Sequence, residues 1–263
     1  MLRVRRSLRV CVAWSKSIPP LAKPLVEKAS LVALCLCLFL CACQTVGASR
    51  VDVYQTRTIH SPDGIGKFYQ GREIAKVMGH TEALWLERPS REVEEQPQKL
   101  VDSLNLQPTD VVADIGAGTG YLSFRIAQKV PLGKVLAVDI QPEMLDIIEF
   151  LKKDNNVTNV EPILGSIDNP NLLENSIDLA IMVDAYHELS QPYEIMDKVV
   201  KALKPNGRVV LVEYRRENPF IAIKGLHKMT QKQAIKEMSA VGLQWLETKD
   251  FLPTQHIMIF AKT

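Results

Sequence analysis

Apolar and polar positions along residues 108–263 follow a pattern that predicts a regular succession of strands and helices. Short apolar runs, such as residues 135–138, are typical of strands buried on both faces, and the segments between them repeat apolar residues at helical spacing. The pattern predicts strands at 110–115, 134–139, 158–164, 177–184, 207–214, 244–250 and 255–262, and helices at 119–129, 141–153, 191–203 and 229–241.

The order of these elements predicts the fold class. Strands that alternate with helices form a parallel sheet covered on both faces. The last two strands are separated by residues 252–254 alone, and so short a turn joins only antiparallel neighbours. We therefore expect an α/β fold, with a Rossmann-like, seven-stranded, mostly parallel sheet whose last strand is antiparallel, in a domain spanning 108–263.

The first strand of this domain leads into a glycine-rich turn. Asp114 lies near the end of the apolar run, and Gly116, Gly118 and Gly120 follow at alternate positions before helical spacing begins. Glycine permits a positive φ or a close approach of the backbone to a ligand, and the N-terminus of the next helix presents free N–H groups to that ligand. The alternative is a strand-to-helix turn that is glycine-rich for structural reasons alone.

A second acid favours the ligand-binding interpretation. The second predicted strand ends in Asp139, 19 residues after Gly120, which is about the spacing at which an acid binds ribose hydroxyls in a Rossmann-like unit. Dinucleotide-binding loops prefer G-x-G-x-x-G, whereas here Asp114 precedes the first glycine by two residues and would repel a phosphate. A carboxylate suits a ligand that carries a cationic amino group.

The pattern Asp-x-Gly-x-Gly-x-Gly resembles motif I of the class I S-adenosylmethionine-dependent methyltransferases, and the resemblance covers about residues 95 to 263. It implies S-adenosylmethionine as the cofactor. It also implies that Asp114 orients the loop or meets the cofactor's amino group, that Asp139 accepts hydrogen bonds from the ribose, and that Ile140 and Met144 flank the adenine. The remaining cofactor-binding residues that it implies are Gly116, Ala117, Gly118, Thr119, Gly120, Ser166, Ile167, Asp168 and Asp184.

The chain departs from the family pattern after the third strand. Many members place Gly-Asp-Ala there, and the acid meets the adenine amino group. Here Ser166 occupies the place of that acid, and Asp168 follows two residues later. Either Asp168 substitutes for the family's acid, or the adenine contact is made by backbone alone.

The resemblance also implies a helical lid ahead of the core. Apolar residues spaced through 65–92 predict one or two short helices, and Ser90 is expected to cap a further helix that runs to about Leu104. We assign residues 65–107 to this helical lid and entry segment. The alternative is a helix that packs on the sheet for stability alone.

The candidate catalytic pair follows the fourth strand. His187 has a near-neutral reference pKa and is expected to take a proton from the methyl acceptor, with Glu188 orienting it. The alternative is that the two residues are a surface or helix-capping pair. Methyl transfer needs in-line alignment more than a strong base, so the absence of a base would not exclude catalysis. This segment lacks the Asn/Asp-Pro-Pro-Tyr/Phe pattern of enzymes that methylate nucleic-acid amino groups.

A group of polar residues is a candidate lining of the substrate mouth, with solvated charges beside the strand ends as the alternative. Its members are Glu213, Tyr214, Arg215, Arg216, Arg88, Arg91 and His227.

Charge and cysteine usage narrow the possible partners. The net charge is +2, but residues 1–42 carry +6 and the remainder carries −4, which argues against a nucleic-acid groove. All five cysteines lie between positions 11 and 43, so the predicted domain has no disulfide, thiolate metal site or cysteine nucleophile. We expect no nucleic-acid partner and no metal.

The first 64 residues predict export. Residues 31–42 form an apolar run behind a basic leader, which is too short to span a bilayer as a helix but matches the central region of a secretory signal. Residues 40–43 resemble a bacterial lipobox, with cleavage before Cys43 and lipid attached to it. We expect a signal peptide at 1–42, a polar tether at 43–64 and an extracytoplasmic lipoprotein anchored to the membrane. The alternatives are a buried core helix, or a mis-assigned start codon upstream of a cytoplasmic enzyme.

Together these features predict a methyltransferase that acts on an O, C or N atom of a small molecule. The general pattern, with residues 203–207 before the fifth strand, is similar at domain level to the quinone-biosynthesis branch of the family. The alternative is a non-catalytic, lipid-anchored protein that retains a nucleoside-binding pocket. The glycine spacing and Asp114 disfavour a dinucleotide-dependent oxidoreductase.

Overall fold

The computed structural model describes residues 53–262. Its strands are β1 (Tyr54–Thr56), β2 (Gly64–Tyr69), β3 (Arg72–Ala75), β4 (Val111–Ile115), β5 (Lys134–Asp139), β6 (Val160–Leu164), β7 (Ile177–Val183), β8 (Leu203–Tyr214), β9 (Leu243–Lys249) and β10 (Gln255–Lys262). Its α-helices are α1 (Ala83–Leu86), α2 (Arg91–Glu94), α3 (Pro97–Ser103), α4 (Tyr121–Ala127), α5 (Pro142–Asp154), α6 (Pro192–Ala202) and α7 (Gln231–Ser239). Short 3₁₀ turns occupy His80–Glu82, Tyr186–Glu188 and Gly225–His227.

The main sheet confirms the predicted fold class. Its seven strands lie in the order β6-β5-β4-β7-β8-β10-β9. Neighbours from β6 to β8 pair in parallel, whereas β10 is antiparallel to both β8 and β9. From β4 the chain continues to β5 on one side and later to β7 on the other, so the strand order reverses at β4. In open α/β sheets, ligands bind at the carboxyl ends of the strands beside such a reversal.

The central strands form because both of their faces are buried. Along β7, Ala180 and Met182 pack into one hydrophobic cluster, while Ile181 packs into a second cluster on the opposite face of the sheet. All three side chains are fully buried. Burial of an Ile or Met side chain contributes about 1.5–3 kcal/mol, so the apolar runs seen in the sequence become the core of a sheet with helices on both sides.

The helices at the carboxyl end of the chain follow the sequence closely. Helix α7 begins after Thr230, which caps the helix because its Oγ1 accepts a hydrogen bond from Gln233 N at 3.1 Å. Strand β8 begins four residues earlier than expected, at Leu203, because its first part already pairs with Ile177 of β7.

Residues 54–75 correct two predictions. A three-stranded antiparallel sheet, β1-β2-β3, replaces the last part of the predicted tether and the first part of the predicted helical lid. Strands β2 and β3 are joined by Gln70 and Gly71, which have φ values of 52° and 95°. A two-residue turn with positive φ at both positions matches the right-handed twist of two paired strands. Within the predicted lid and entry segment, 65–107, helix begins only at the 3₁₀ turn His80–Glu82 and continues in α1, α2 and α3.

The predicted helix from Ser90 to Leu104 is also corrected, because it forms as two helices. Pro97 has no N–H to continue α2, and Gln96 before it adopts a left-handed conformation with φ 49°. Ser90 lies at the N-cap position of α2, but its side chain makes no capping hydrogen bond. Proline is well suited to the first turn of a helix, where its missing donor would have no partner, so α3 begins at Pro97.

No helix within residues 53–262 is long and apolar enough to cross a membrane. The predicted signal peptide, the lipobox with Cys43 and the other four cysteines lie outside the described residues.

Candidate active site

A cavity of about 830 Å³ opens at the carboxyl ends of the central strands. Its wall is formed by the residues that follow β4, β5, β6 and β7, together with the segment from β3 to α1 and residues 222–227. Both halves of the sequence-predicted site therefore face one enclosure. The glycine loop lies on one side, and the His187–Glu188 pair lies on another.

The glycine loop has the backbone that only glycine adopts without strain. Gly116, Gly118 and Gly120 have φ values of 75°, 55° and 80°. A Cβ on Gly116 would lie 2.6 Å from the Cβ of Ala185, and one on Gly118 would lie 2.8 Å from Cδ1 of Leu86. The loop thus presents bare backbone to the cavity, between the end of β7 and helix α1.

Asp139 closes the loop from the next strand. Its Oδ2 accepts a hydrogen bond from Gly118 N and its Oδ1 accepts one from Gln141 N, both at 2.9 Å. Burial raises the pKa of this carboxyl, while these backbone donors act against the shift. Each carboxylate oxygen has a second acceptor direction, and Asp139 lines the cavity. It can therefore hold the loop and still accept hydrogen bonds from two ligand hydroxyls.

Asp114 lies beneath the loop rather than in the cavity wall. It is buried, and its Oδ2 accepts a hydrogen bond from Ser123 Oγ at 2.6 Å. Burial raises the pKa of Asp114 to about 6. Of its two predicted roles, the structure shows the positional one, since the bond ties β4 to helix α4 beneath the loop.

Asp184 offers an oxygen for a cation. It adopts a positive φ of 51°, its Oδ2 accepts a hydrogen bond from Gln255 Nε2 at 2.5 Å, and its Oδ1 is buried without a hydrogen-bond partner among the described residues. Burial, followed by the charges of Glu95 and Glu213, raises its pKa well above the usual range. A ligand ammonium group in the cavity would satisfy Oδ1 and reverse that shift.

The remaining residues predicted to bind the cofactor divide into two groups. Four line the cavity, namely Ile140, Met144, Ser166 and Ile167. Four are not part of its described wall, namely Ala117, Thr119, Gly120 and Asp168. Thr119 Oγ1 donates instead to Glu87, just after α1. Asp168 Oδ1 accepts a hydrogen bond from Ser166 Oγ at 2.9 Å in the loop after β6.

His187 is held by a partner that the sequence did not predict. The residue is buried in the turn after β7, and its Nδ1 lies 2.6 Å from Glu213 Oε2 at the end of β8. The backbone N–H of His187 donates to the other oxygen of Glu213 at 3.3 Å. Both carboxylate oxygens thus face N–H groups of one residue, which favours the tautomer with the proton on Nδ1. The expectation that Glu188 orients His187 is therefore replaced by Glu213.

Glu188 faces a second histidine. Its Oε1 lies 3.2 Å from His227 Nδ1, and its Oε2 accepts a hydrogen bond from Met78 N at 3.0 Å. His227 Nε2 lies 3.3 Å from Asp63 Oδ2, and His227 Nδ1 lies 3.1 Å from His187 Nε2. The bond to Glu188 raises the pKa of His227. Burial lowers the pKa of His187 to about 3, so this imidazole is neutral and is a poor proton acceptor.

The candidate substrate-mouth residues also divide. Tyr214, Arg91 and His227 line the cavity, whereas Glu213 is the buried partner of His187. Arg88 stacks on Trp85 and bonds to Glu95, and Arg215 bonds to the turn between β9 and β10. Asp63 is a cavity residue that the sequence analysis missed. It lies in the predicted tether, and the Gln70-Gly71 hairpin turn was the local signal that this part is folded.

A sequence profile described as "Methyltransferase domain" matches residues 106–256. The chain belongs to this methyltransferase domain family. It is 29% identical over 148 residues to an uncharacterised methyltransferase-like protein of Schizosaccharomyces pombe, a match that covers 56% of this chain and 55% of that protein. It is 27% identical over 121 residues to demethylmenaquinone methyltransferase of Chlamydia muridarum, covering 46% and 52% of the two chains. The chain therefore spans about half the length of these relatives.

The fold is shared with a solved S-adenosylmethionine-dependent methyltransferase from Aquifex aeolicus. The TM-score is 0.67 at 20% sequence identity, over 71% of this chain and all of that one. S-adenosylmethionine is the cofactor supported by the methyltransferase domain, and the glycine-loop side of the cavity is its candidate site. The residues present fit it, because the bare loop, the carboxylate of Asp139 and the unpartnered Oδ1 of Asp184 match a nucleoside that carries a cationic amino acid.

Proposed function

We propose that this member of the methyltransferase family transfers the methyl group of S-adenosylmethionine to an O, C or N atom of a small molecule. The observation that carries the proposal is a single cavity whose wall includes both the glycine loop with Asp139 and the cluster of His187, Glu188 and His227. A donor site and a group of side chains suited to an acceptor's proton thus share one enclosure.

In this mechanism the cofactor supplies a methyl group on a sulfonium, which a nucleophile can displace directly. The chain contributes position more than chemistry, because aligning the reacting atoms in a closed site removes much of the barrier. Asp139 and the loop fix the nucleoside, and Asp184 holds the ammonium group. The acceptor lies against Glu188 and His227, whose polar atoms favour loss of its proton, while Glu213 keeps His187 in place.

The printed names of two relatives suggest different acceptors. The name demethylmenaquinone methyltransferase supports a ring carbon or a hydroxyl of a quinol as the methyl acceptor. An arsenite methyltransferase of Halobacterium salinarum, 30% identical over 44% of this chain and 30% of its own length, supports arsenic. The family domain of this chain contains no cysteine, and this disfavours thiol-dependent arsenic chemistry. We therefore propose a small organic acceptor of quinol, phenol or amine type.

The test is calorimetric titration of the full chain with S-adenosylhomocysteine and, separately, with NAD. We expect micromolar binding of S-adenosylhomocysteine and no binding of NAD. Binding of NAD alone would overturn the proposal. Transfer of tritiated methyl to quinols, phenols and amines then identifies the acceptor class. Binding without transfer to any of them would support the non-catalytic alternative.

We also propose that the protein is exported and anchored through lipid on Cys43. The proposal rests on the apolar run at 31–42 and the lipobox-like residues 40–43. Cys43→Ser should release the protein from the membrane fraction and abolish incorporation of labelled palmitate, whereas Cys11→Ser should change neither. Unchanged fractionation of the Cys43 variant would contradict lipidation.

A further inference from the structure

We propose that His187, Glu188 and His227 bind one divalent transition-metal ion, with Zn²⁺ as the reference case, at the acceptor side of the cavity. The role of the ion rests on the proposed function, but its binding does not. No metal was expected from the sequence, because the predicted domain contains no cysteine ligands.

The three potential ligand atoms have the spacing that one ion requires. His187 Nε2 lies 3.1 Å from His227 Nδ1, Glu188 Oε1 lies 3.2 Å from His227 Nδ1, and Glu188 Oε1 lies 3.8 Å from His187 Nε2. Ligand atoms around a tetrahedral zinc with bonds of about 2.0–2.1 Å are roughly 3.3–3.4 Å apart. The point equidistant from these three atoms lies about 2.0 Å from each, which is a zinc–ligand distance.

The outer nitrogen of each histidine faces a carboxylate. His187 Nδ1 lies within hydrogen-bond distance of Glu213 Oε2, at 2.6 Å. His227 Nε2 lies 3.3 Å from Asp63 Oδ2, and neither of these two buried atoms has a hydrogen-bond partner among the described residues. Histidines that ligate metals usually donate their other N–H to such a partner, which fixes the ring and makes the ligating nitrogen more basic. Glu188 is fixed as well, since its Oε2 accepts a hydrogen bond from Met78 N.

This arrangement brings three potential metal-ligating atoms close together. If each ring keeps its proton on the nitrogen beside its carboxylate, the two inner nitrogens and Glu188 Oε1 are all acceptors at 3.1–3.8 Å from one another. Three acceptors at this distance repel unless a cation lies between them. A metal ion would contact all three atoms, whereas a proton on His227 Nδ1 would be shared with His187 Nε2 at 3.1 Å and Glu188 Oε1 at 3.2 Å. Titration with Zn²⁺ distinguishes the two.

Two imidazoles and one carboxylate form a mixed nitrogen and oxygen site of the kind that zinc and similar divalent ions occupy. Three protein ligands leave a further position open, as in catalytic rather than structural sites. All three residues line the cavity, so that position faces the acceptor. The acceptor class is therefore a hydroxyl compound, such as a phenol or an enol, whose oxygen binds the ion.

The chemistry balances without an oxidant. Coordination lowers the pKa of a hydroxyl, so its proton passes to water and the oxygen keeps the electron pair. That electron pair on oxygen, or the nucleophilic carbon of an enolate, forms the new bond to the methyl carbon. The carbon–sulfur bond breaks, and its electrons stay on the sulfur.

The experiment titrates Zn²⁺ into chelator-treated full chain, purified without a polyhistidine tag, and records the visible absorption of Co²⁺ in the same site. We expect one ion per chain and the intense absorption of four-coordinate cobalt. His227→Ala and Glu188→Gln should each weaken Zn²⁺ binding by more than about 100-fold, and Asp63→Asn, which removes an outer partner, by about 10- to 100-fold. His60→Ala, which changes an exposed histidine, should bind as the wild type does.

Two results would overturn the proposal. One is the absence of stoichiometric binding in a chain that still binds S-adenosylhomocysteine, which would leave the proposed function standing and assign the cluster to a protonated His227. The other is equal Zn²⁺ affinity in wild type, His227→Ala and Glu188→Gln. Circular dichroism of each variant confirms that the fold is retained. Metal binding without binding of S-adenosylhomocysteine would instead count against the proposed function alone.

Discussion

Asp139 joins the glycine loop to the end of strand β5. Its oxygens already accept hydrogen bonds from Gly118 N and Gln141 N, so the carboxylate shapes the loop before any cofactor arrives. Its position beside the loop was predictable because the spacing from the glycines and the end of an apolar run are both local features of the sequence. Its binding of ribose stays a prediction.

Asp139→Asn should weaken binding of S-adenosylhomocysteine by about 2–3 kcal/mol, or roughly 30- to 150-fold in Kd, since hydrogen bonds to a charged acceptor are worth about 1.5–3 kcal/mol each. Isothermal titration measures the change. Asp168→Asn is the matched control, because Asp168 lies outside the described cavity wall, and it should shift affinity by no more than about 0.5 kcal/mol. An Asp168 effect as large as that of Asp139 would restore the adenine role predicted from the family pattern.

The burial of Asp114 can be tested, also at the residue scale, through the pH dependence of the unfolding free energy. Its folded-state pKa of about 6 exceeds the ordinary value of about 3.9, so the folded protein holds this proton more tightly than the unfolded chain. The stabilisation is fully present below pH ~4 and is lost as pH rises through 6, which amounts to about 3 kcal/mol.

Asp114→Asn cannot titrate in that range. The difference in unfolding free energy, wild type minus variant, should therefore fall by about 2 kcal/mol between pH 4 and pH 7 in urea titrations. Other titrating groups cancel in this difference. A difference independent of pH would show that Asp114 ionises normally in the folded chain.

Other residue contacts were beyond sequence reasoning because they join distant segments. His187 and Glu213 lie at the ends of β7 and β8, which become neighbours only once the strand order is known. The unpartnered Oδ1 belongs to Asp184, whose φ is positive, and no local sequence pattern at this aspartate predicts that conformation. Sequence located these residues at the carboxyl ends of strands, but it could not pair them.

At the scale of elements, a strand was predictable from the sequence where apolar residues occupy its buried positions. Strands β4, β5, β7 and β8 were predictable because apolar side chains fill both of their faces. Strand β2 was missed because its buried positions include Gly64 and Gly66, while Ile65 between them is exposed. Hydrophobic periodicity cannot reveal a strand whose buried positions are glycines.

The contact between the glycine loop and the end of β7 yields an element-scale prediction. Gly116→Ala requires a residue with a Cβ at φ 75°, which costs about 1–2 kcal/mol, and adds a clash at 2.6 Å with Ala185. The loop and the turn that carries His187 should move apart, so both unfolding free energy and affinity for S-adenosylhomocysteine should fall. Gly225→Ala places its Cβ in open space and should stay within about 0.5 kcal/mol of wild type. Normal affinity in the Gly116 variant would contradict the close packing.

At the scale of the whole described chain, a buried ion pair joins the small sheet to the large one. Arg72 of β3 donates from Nε and Nη2 to the two oxygens of Glu237 on α7, at 2.7 and 2.8 Å. Its Nη1 also donates to the backbone carbonyl of His187 at 3.1 Å. The small sheet therefore supports the turn that carries His187, although the sequence predicted a tether and a lid for this part of the chain.

Removing one partner of such a pair leaves an uncompensated buried charge, which typically costs about 3–5 kcal/mol. Arg72→Met should lower the unfolding free energy by this amount, measured by urea denaturation, whereas Arg57→Met, an exposed arginine stacked on Phe68, should cost no more than about 1 kcal/mol. The double variant Arg72→Met/Glu237→Leu removes both charges and should be no less stable than Arg72→Met alone, because apolar replacement of a whole pair is often neutral. Costs that simply add in the double variant would mean that the two side chains are not coupled. In that case the small sheet would be held to the large one by apolar packing, and His187 would have to owe its position to Glu213 alone.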